Sequence, residues 1–123
     1  MEENFVFDEK LNLYVLHNDK GSYYQNDIGQ FHREDGPAIM DADGYRAWYI
    51  HGVNHREDGP AVIWKDESYT WYYKGLRHRL DGPAIHYINA MGESVNRYFY
   101  HGKEIKASSD EKFKRLINLL VFI

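Results

Sequence analysis

The sequence predicts a mainly β protein, an antiparallel meander of hairpin repeats in a single twisted sheet, closed by one C-terminal amphipathic helix. Two observations support this prediction. The string "HREDGPA" begins at position 32 and again at position 55, and "HRLDGPA" begins at position 78, so the repeat period is 23 residues. Aromatic residues make up 16% of the chain, and aromatic side chains favour pleated strands.

Each repeat carries the signals of a β-hairpin. The full unit reads W-Y-x-x-G-x-x-H-R-x-D-G-P-A and is followed by an apolar run and a second turn such as "DADG". Glycine favours the tight turn, while Asp-Gly-Pro changes the chain direction and removes an amide donor from the ladder. We therefore expect "PAIM", "PAVIW" and "PAIHYI" to be outgoing strands, and "YRAWYI", "YTWYY" and "NRYFY" to be returning strands.

The outer copies of the repeat are degenerate, as the ends of a stacked array need to be. Gln25 and Asn26 stand where the period places Trp and Tyr in the first copy, and Ile105 replaces the histidine in the last. We predict one domain over residues 1–123. Its parts are N-terminal capping strands at 1–24, hairpin repeats at 25–105 and a C-terminal helix at 108–123.

The predicted helix begins with a capping-box pattern and continues with an apolar stripe. Ser108 and Glu111 have the S-x-x-E spacing, and the apolar residues at helical spacing are Phe113, Leu116, Ile117 and Leu120. The helix would cover one sheet face or an open end. The apolar "LLVFI" and the open sheet edges also suggest a homo-oligomer.

Composition excludes several classes of site. The chain has no cysteine, so disulfides and thiolate metal sites are ruled out, and its net charge of −4 argues against nucleic acid as a partner. The N-terminus "MEENFVFDEK" lacks the pattern of a secretory signal, and the apolar run "LINLLVFI" is too short to span a bilayer. We expect a soluble, cytoplasmic protein that does not enter membranes.

The 23-residue unit with W-Y-x-x-G-x-x-H resembles the MORN repeat, a family that forms one hairpin per repeat. Here R-x-D-G-P-A follows the histidine in place of G-x-G. That variant, with the ending "HGKEIKASSDEKFKRLI", is similar to small repeat proteins of bacteriophages. The resemblance implies a scaffold, or a module that binds protein or lipid; for a phage protein it also implies a counter-defence factor that binds a host protein.

The repeated string permits a structural and a functional interpretation. Equal spacing places its histidines, arginines and aspartates in three rows. In the structural interpretation, which we favour, each Asp accepts from turn amides and an Arg, and each His packs against a neighbouring aromatic ring. In the functional one, the rows bind an anion such as a phosphate. The candidate ladder residues are His32, Arg33, Asp35, His55, Arg56, Asp58, His78, Arg79 and Asp81.

A second candidate surface is an aromatic face along the returning strands. Such side chains anchor protein interfaces or stack on bases, although most pack across strands. Its candidate residues are Trp48, Tyr49, Trp71, Tyr72, Tyr98 and Tyr100.

The sequence contains no unique catalytic constellation, no metal-ligand set and no cofactor motif, because three equal copies do not make one active site. We expect a non-catalytic binding protein, with a host protein as its partner. The alternatives are a sequestering protein for a nucleotide, with the arginines on the phosphate, and a structural scaffold.

Overall fold

The structure is a computed structural model that describes residues 4–121, with fourteen strands and one helix in that range. The last two residues of the predicted helix therefore lie outside the described residues. The elements are β1 (Val6–Asp8), β2 (Leu13–Asn18), β3 (Gly21–Gln25), β4 (Ile39–Asp41), β5 (Arg46–Ala47), β6 (Tyr49–Ile50), β7 (Val53–Asn54), β8 (Val62–Ile63), β9 (Tyr69–Thr70), β10 (Tyr72–Tyr73), β11 (Leu76–Arg77), β12 (Ile85–Ile88), β13 (Ser94–Tyr100), β14 (Lys103–Ile105) and α1 (Asp110–Val121).

Ten of these strands form one antiparallel sheet in the order β1-β2-β3-β4-β5-β8-β9-β12-β13-β14. This confirms the mainly β class, the antiparallel meander and the single C-terminal helix. The other four strands form two separate hairpins, β6–β7 and β10–β11, which the prediction of one sheet did not include. Each middle repeat therefore contributes strands to the large sheet and one hairpin beside it.

The returning strands divide at the two repeat tryptophans. The amide of Trp48 donates to the carbonyl of Ala61 at 2.7 Å, whereas its own carbonyl accepts from the amide of His55 at 3.2 Å. Trp71 makes the same pair of bonds with Ala84 and His78. At each tryptophan the backbone thus changes partner from the large sheet to its own hairpin.

Each small hairpin closes through a two-residue turn in which both residues have positive φ. In the first, His51 has φ 48° and Gly52 has φ 77°. This turn geometry matches the right-handed twist of paired strands, and glycine adopts it without steric strain. The same turn recurs at Lys74–Gly75 and at His101–Gly102. The predicted hairpin signals x-G-x-x-H are therefore real turns.

The first repeat differs in register from the 23-residue period. Tyr24, not Gln25, takes the place of the repeat tryptophan, because its amide donates to Ala38 and its carbonyl accepts from His32. The hairpin that follows is one residue longer than in the middle repeats. The Oδ1 atom of Asn26 closes it by accepting from the amides of Ile28 at 3.2 Å and Gln30 at 2.9 Å.

The C-terminal helix covers the last hairpin. Phe113 and Ile117 are buried against Tyr98, whose hydroxyl donates to Asp110 Oδ1 at 2.7 Å. Burial, followed by this hydrogen bond, raises the pKa of Tyr98 to about 12. The helix therefore rests on the sheet side that carries Tyr98. Among the described residues, no helix is long and apolar enough to cross a membrane.

The helix cap and apolar stripe differ from the prediction. The amide of Lys112 donates to Ser109 Oγ at 3.2 Å, so Ser109 is the N-cap rather than Ser108. Leu116 and Leu120 are each 38% exposed, so only part of the predicted stripe is buried.

Glycine is required at the hairpin turns for two separable reasons. Gly75 and Gly92 both have positive φ, but a Cβ atom on Gly75 would lie 2.7 Å from Val53 Cγ1, whereas one on Gly92 would meet nothing within 4 Å. We expect Gly92→Ala to lower the free energy of unfolding by about 1–2 kcal/mol through backbone strain alone. Gly75→Ala should lower it further, because the neighbouring hairpin must also move. Urea unfolding of both variants measures the difference, and equal losses would contradict close packing between hairpins.

Candidate functional site

Each arginine of the repeated string is held by three contacts within its own repeat. Arg56 lies over the ring of Trp48 at 3.9 Å, donates from Nε to Asp58 Oδ1 at 3.2 Å and donates from Nη1 to the carbonyl of Pro60 at 3.1 Å. The two other guanidinium groups have equivalent contacts, with Tyr24 beneath Arg33 and Trp71 beneath Arg79. The ladder arginines are therefore bound into the fold.

The glycine of each D-G-P-A segment makes room for that arginine. A Cβ atom on Gly59 would lie 2.6 Å from Arg56 Cζ, and one on Gly82 would lie 2.9 Å from Arg79 Cζ. The contact is too short for any other residue unless the guanidinium moves. The Gly in this segment is thus explained by its contact with Arg.

Each histidine of the string accepts a hydrogen bond from the turn of the next repeat. The amide of His51 donates to His32 Nδ1 at 2.8 Å, that of Lys74 to His55 Nδ1 at 2.8 Å, and that of His101 to His78 Nδ1 at 2.9 Å. We call these three bonds the histidine joints. Because Nδ1 accepts, the proton of each neutral imidazole is on Nε2.

The joint histidines also pack against rings of the next hairpin, as the structural interpretation expects. His55 lies 4.9 Å from Tyr73, and His78 lies 5.4 Å from Tyr100 and stacks on His101 at 4.0 Å. Burial, and then the neighbouring histidine, lower the pKa of His78. Burial and His51 lower the pKa of His32 in the same way, against a weaker opposing effect of Glu34.

The outer surface of the ladder presents carboxylates rather than guanidinium groups. The Arg56 side chain is 25% exposed, whereas Asp58 and Glu57 are 89% and 74% exposed. The hydrogen bond from Arg33 lowers the pKa of Asp35, so that carboxylate stays charged at neutral pH. This arrangement disfavours the anion-binding interpretation, because an approaching phosphate would meet the acids first.

The structure does not place the six predicted aromatic residues on one face. Successive strand residues point to opposite sides. Trp48 and Trp71 lie beneath their arginines, and Tyr98 lies on that same side beneath the helix. Tyr100 lies on this side with Tyr98, in contact with His78. Tyr49 packs on Phe31 against the cluster that contains Tyr24, whereas Tyr72 lies close to Tyr45. We call the side of the sheet that carries Thr70 and its register partner Ile85 the open face.

The open face contains a groove that the candidate residues did not include. Its cavity volume is about 760 Å³, and Trp64 and Tyr87 stand on its rim at 42% and 39% exposure. Thr70 and Ile85 form part of its lining. The repeat period was the available signal, because Trp64 and Tyr87 lie 23 residues apart. Both residues belong to the segment after D-G-P-A, whose sequence differs between repeats, rather than to the repeated string.

Tyrosine side chains extend the open face beside this groove. The ring of Tyr45 contacts Trp64 with centroids 6.4 Å apart. Burial raises the pKa of Tyr45, and Tyr49, Asp41 and Tyr72 add to that shift, so these groups lie close to one another. The hydroxyl of Tyr45 therefore remains a neutral hydrogen-bonding group at physiological pH.

An ion-paired cluster lies beside the groove on the next strand. Arg97, the register partner of Ile85, donates to both carboxylate oxygens of Glu104, at 2.7 and 3.0 Å. The bidentate bond from Arg97 lowers the pKa of Glu104 to about 2. Lys106 Nζ also lies 3.3 Å from Glu104 Oε1, so two cations share this one carboxylate.

Comparison with family models, curated proteins and solved structures finds no match for this chain. Among residues 4–121, no group of three or more His, Cys, Asp or Glu side chains is arranged to hold a metal ion. The functional argument therefore rests on the geometry of the ladder and of the open face.

The three contacts of Arg56 predict that its replacement destabilises the fold more than replacement of its ion-pair partner Asp58. Arg56→Ala should lower the free energy of unfolding by about 1–2 kcal/mol, because it removes the contact with Trp48 and the bond to the Pro60 carbonyl. Asp58→Ala, the matched control, removes only an exposed ion pair and should lower it by about 0.5 kcal/mol or less. Urea denaturation measures both values. Equal losses would show that the ion pair, not the stacked guanidinium, stabilises the loop.

Proposed function

We propose that this chain is a non-catalytic protein-binding module whose open face takes an apolar or aromatic anchor of its partner. The observation that supports this proposal is the groove with Trp64 and Tyr87 on its rim. Large aromatic side chains that remain exposed beside an apolar lining are typical of binding hot spots. A partner side chain inserted there would bury both rings.

The charged side chains beside the groove balance one another. Asp66 and Lys65 both line the groove. Hydrogen bonds from Ser68 lower the pKa of Asp66, so its carboxylate is ionised at neutral pH. Glu67 in the same turn pairs with Arg46 at 3.5 Å. The exposed rings, rather than net charge, therefore support the choice of an apolar or aromatic anchor.

The ladder geometry disfavours the nucleotide-sequestering alternative. That function needs a free guanidinium for phosphate, yet Arg33, Arg56 and Arg79 are each engaged by an aspartate, a carbonyl and an aromatic ring. Three equal copies also offer no unique acid, base or nucleophile for catalysis. The resemblance to phage repeat proteins implies a host protein as the partner, and such a module would inhibit it by covering the surface that docks here.

Selection of binders from a random peptide library tests the proposal directly. We expect enriched peptides to carry an aromatic or large aliphatic residue. Trp64→Ala should weaken their affinity about 30-fold, as the loss of a hot-spot anchor does. Isothermal titration with one enriched peptide measures this effect.

Phe7→Ala provides the matched control, because Phe7 is an exposed aromatic residue on the edge strand β1, outside the groove. Its affinity should equal that of the unchanged protein. Enrichment of peptides that lack an aromatic or large aliphatic residue, or equal weakening by both variants, would overturn the proposal. Saturable binding of ATP that is lost in Arg56→Ala would favour the nucleotide alternative instead.

A further inference from the structure

The three histidine joints connect successive hairpins through imidazole groups. The donor amides belong to the turns of β6–β7, β10–β11 and β13–β14, and we call these three hairpins the hairpin row. We propose that these joints form an acid-sensitive coupling, which separates neighbouring hairpins when the imidazoles are protonated and leaves the ten-stranded sheet paired. This inference does not depend on what binds the open face. It follows from the direction of the hydrogen bonds at His32, His55 and His78.

Protonation and the joint bond are mutually exclusive. At each joint, Nδ1 accepts a backbone N–H at 2.8 or 2.9 Å. In the imidazolium ion both ring nitrogens are donors, so the Nδ1 proton would face the donor of the turn amide. The ring must then rotate or the turn must withdraw. Either movement leaves a turn amide without its partner.

Each joint faces a different set of charged groups. At the first, the ring of His51 lies 4.5 Å from His32, and Glu34 Oε1 lies 3.8 Å from His32 Nε2. At the third, His101 stacks on His78 at 4.0 Å, with Tyr73 and Tyr100 also against the ring. Two imidazoles in contact cannot both be charged without repulsion, so the first and third joints are the most sensitive to acid.

The middle joint lacks a second histidine at the turn. There the donor residue is Lys74, the ring packs on Tyr73, and Glu57 Oε1 lies 3.8 Å from His55 Nε2. The middle joint thus has the same Nδ1 acceptor as the other two, with a carboxylate in place of a second imidazole beside the ring.

The direction of the pH effect follows from the lowered pKa values of His32 and His78. An imidazole in an open hairpin has its ordinary pKa of about 6.5 and binds a proton more readily than one in the closed joint. The stabilisation is therefore fully present above about pH 6.5. It is lost as the pH falls through that value towards the lower pKa of the closed joint.

Strand pairing in the ten-stranded sheet does not depend on pH in the same way. Its strands pair through backbone amides and carbonyls, for example Ala47 with Val62 and Val62 with Thr70. These groups do not titrate in this range. Acid should therefore open the contacts between neighbouring hairpins first, while strand pairing, including that of β13 with β14, forms a second and more stable tier.

Hydrogen exchange followed by NMR at about pH 7.5 and about pH 5 tests this coupling, with rates corrected for the intrinsic effect of pH. We expect the protection factors of the His51, Lys74 and His101 amides to fall about tenfold or more at the lower pH. Those of Val62 and Thr70 in the sheet should change much less. A uniform change across both sets, or no change in either, would overturn the proposal.

The triple variant His32→Asn, His55→Asn and His78→Asn separates titration from packing. Asparagine Oδ1 can occupy the position of Nδ1 and accept the same amide without titrating, as Asn26 does in the first hairpin. The variant should retain its protection at about pH 5. Loss of protection at low pH in this variant would contradict the proposal.

His86→Asn is the matched control, because His86 lies on the large sheet and bonds to Asn96 rather than to a turn amide. It should keep the pH dependence of the unchanged protein. If the triple variant fails to fold, the exchange pattern of the unchanged protein decides the question alone. Imidazole ¹⁵N shifts add an independent reading, since the joints require the Nε2–H tautomer at neutral pH.

Discussion

The stacking of neighbouring hairpins depends on one contact, the hydrogen bond from a turn amide to an imidazole of the preceding repeat. A two-residue turn with positive φ leaves amides pointing outward, and these must find acceptors. The histidine Nδ1 satisfies one, and the carbonyl of the residue before that histidine satisfies the glycine amide, as in the bond from Gly52 to Phe31 at 2.8 Å. A hairpin of two short strands is marginal alone, so this contact with its neighbour is what holds each one in place.

The same contact explains why both ends of the array depart from the repeat. His17, which precedes the first hairpin, bonds to Ser22, and Asn26 supplies the acceptor for the turn from within the hairpin itself. In the last repeat, Ile105 stands at the histidine position and packs beneath the helix with Tyr98. Each end thus replaces a polar joint with a group that needs no further repeat.

The period of 23 residues predicts the repeat, the turns and the antiparallel meander, because each is local and recurs. The added residue in the first hairpin could not be predicted, since it shifts Tyr24 into the tryptophan position without changing the spacing from His32 to His55. The division of the returning strands at Trp48 and Trp71 depends on which neighbour each amide finds, which is tertiary information. The choice of Ser109 over Ser108 as the N-cap likewise depends on how the helix packs against Tyr98.

The repeated residues and the binding surface occupy different parts of the unit. The Arg, His, Asp and Gly residues of the repeated string form hydrogen bonds and packing contacts within and between repeats. Few of their polar groups are therefore available to bind a ligand. The third residue after the alanine of D-G-P-A varies instead. It is Asp41, Trp64 and Tyr87 in successive repeats. Asp41 is polar and accepts from the hydroxyl of Tyr23 at 2.8 Å, whereas Trp64 and Tyr87 line the groove between the second and third copies. Identical copies build the scaffold, and a difference between copies makes one site on it unique.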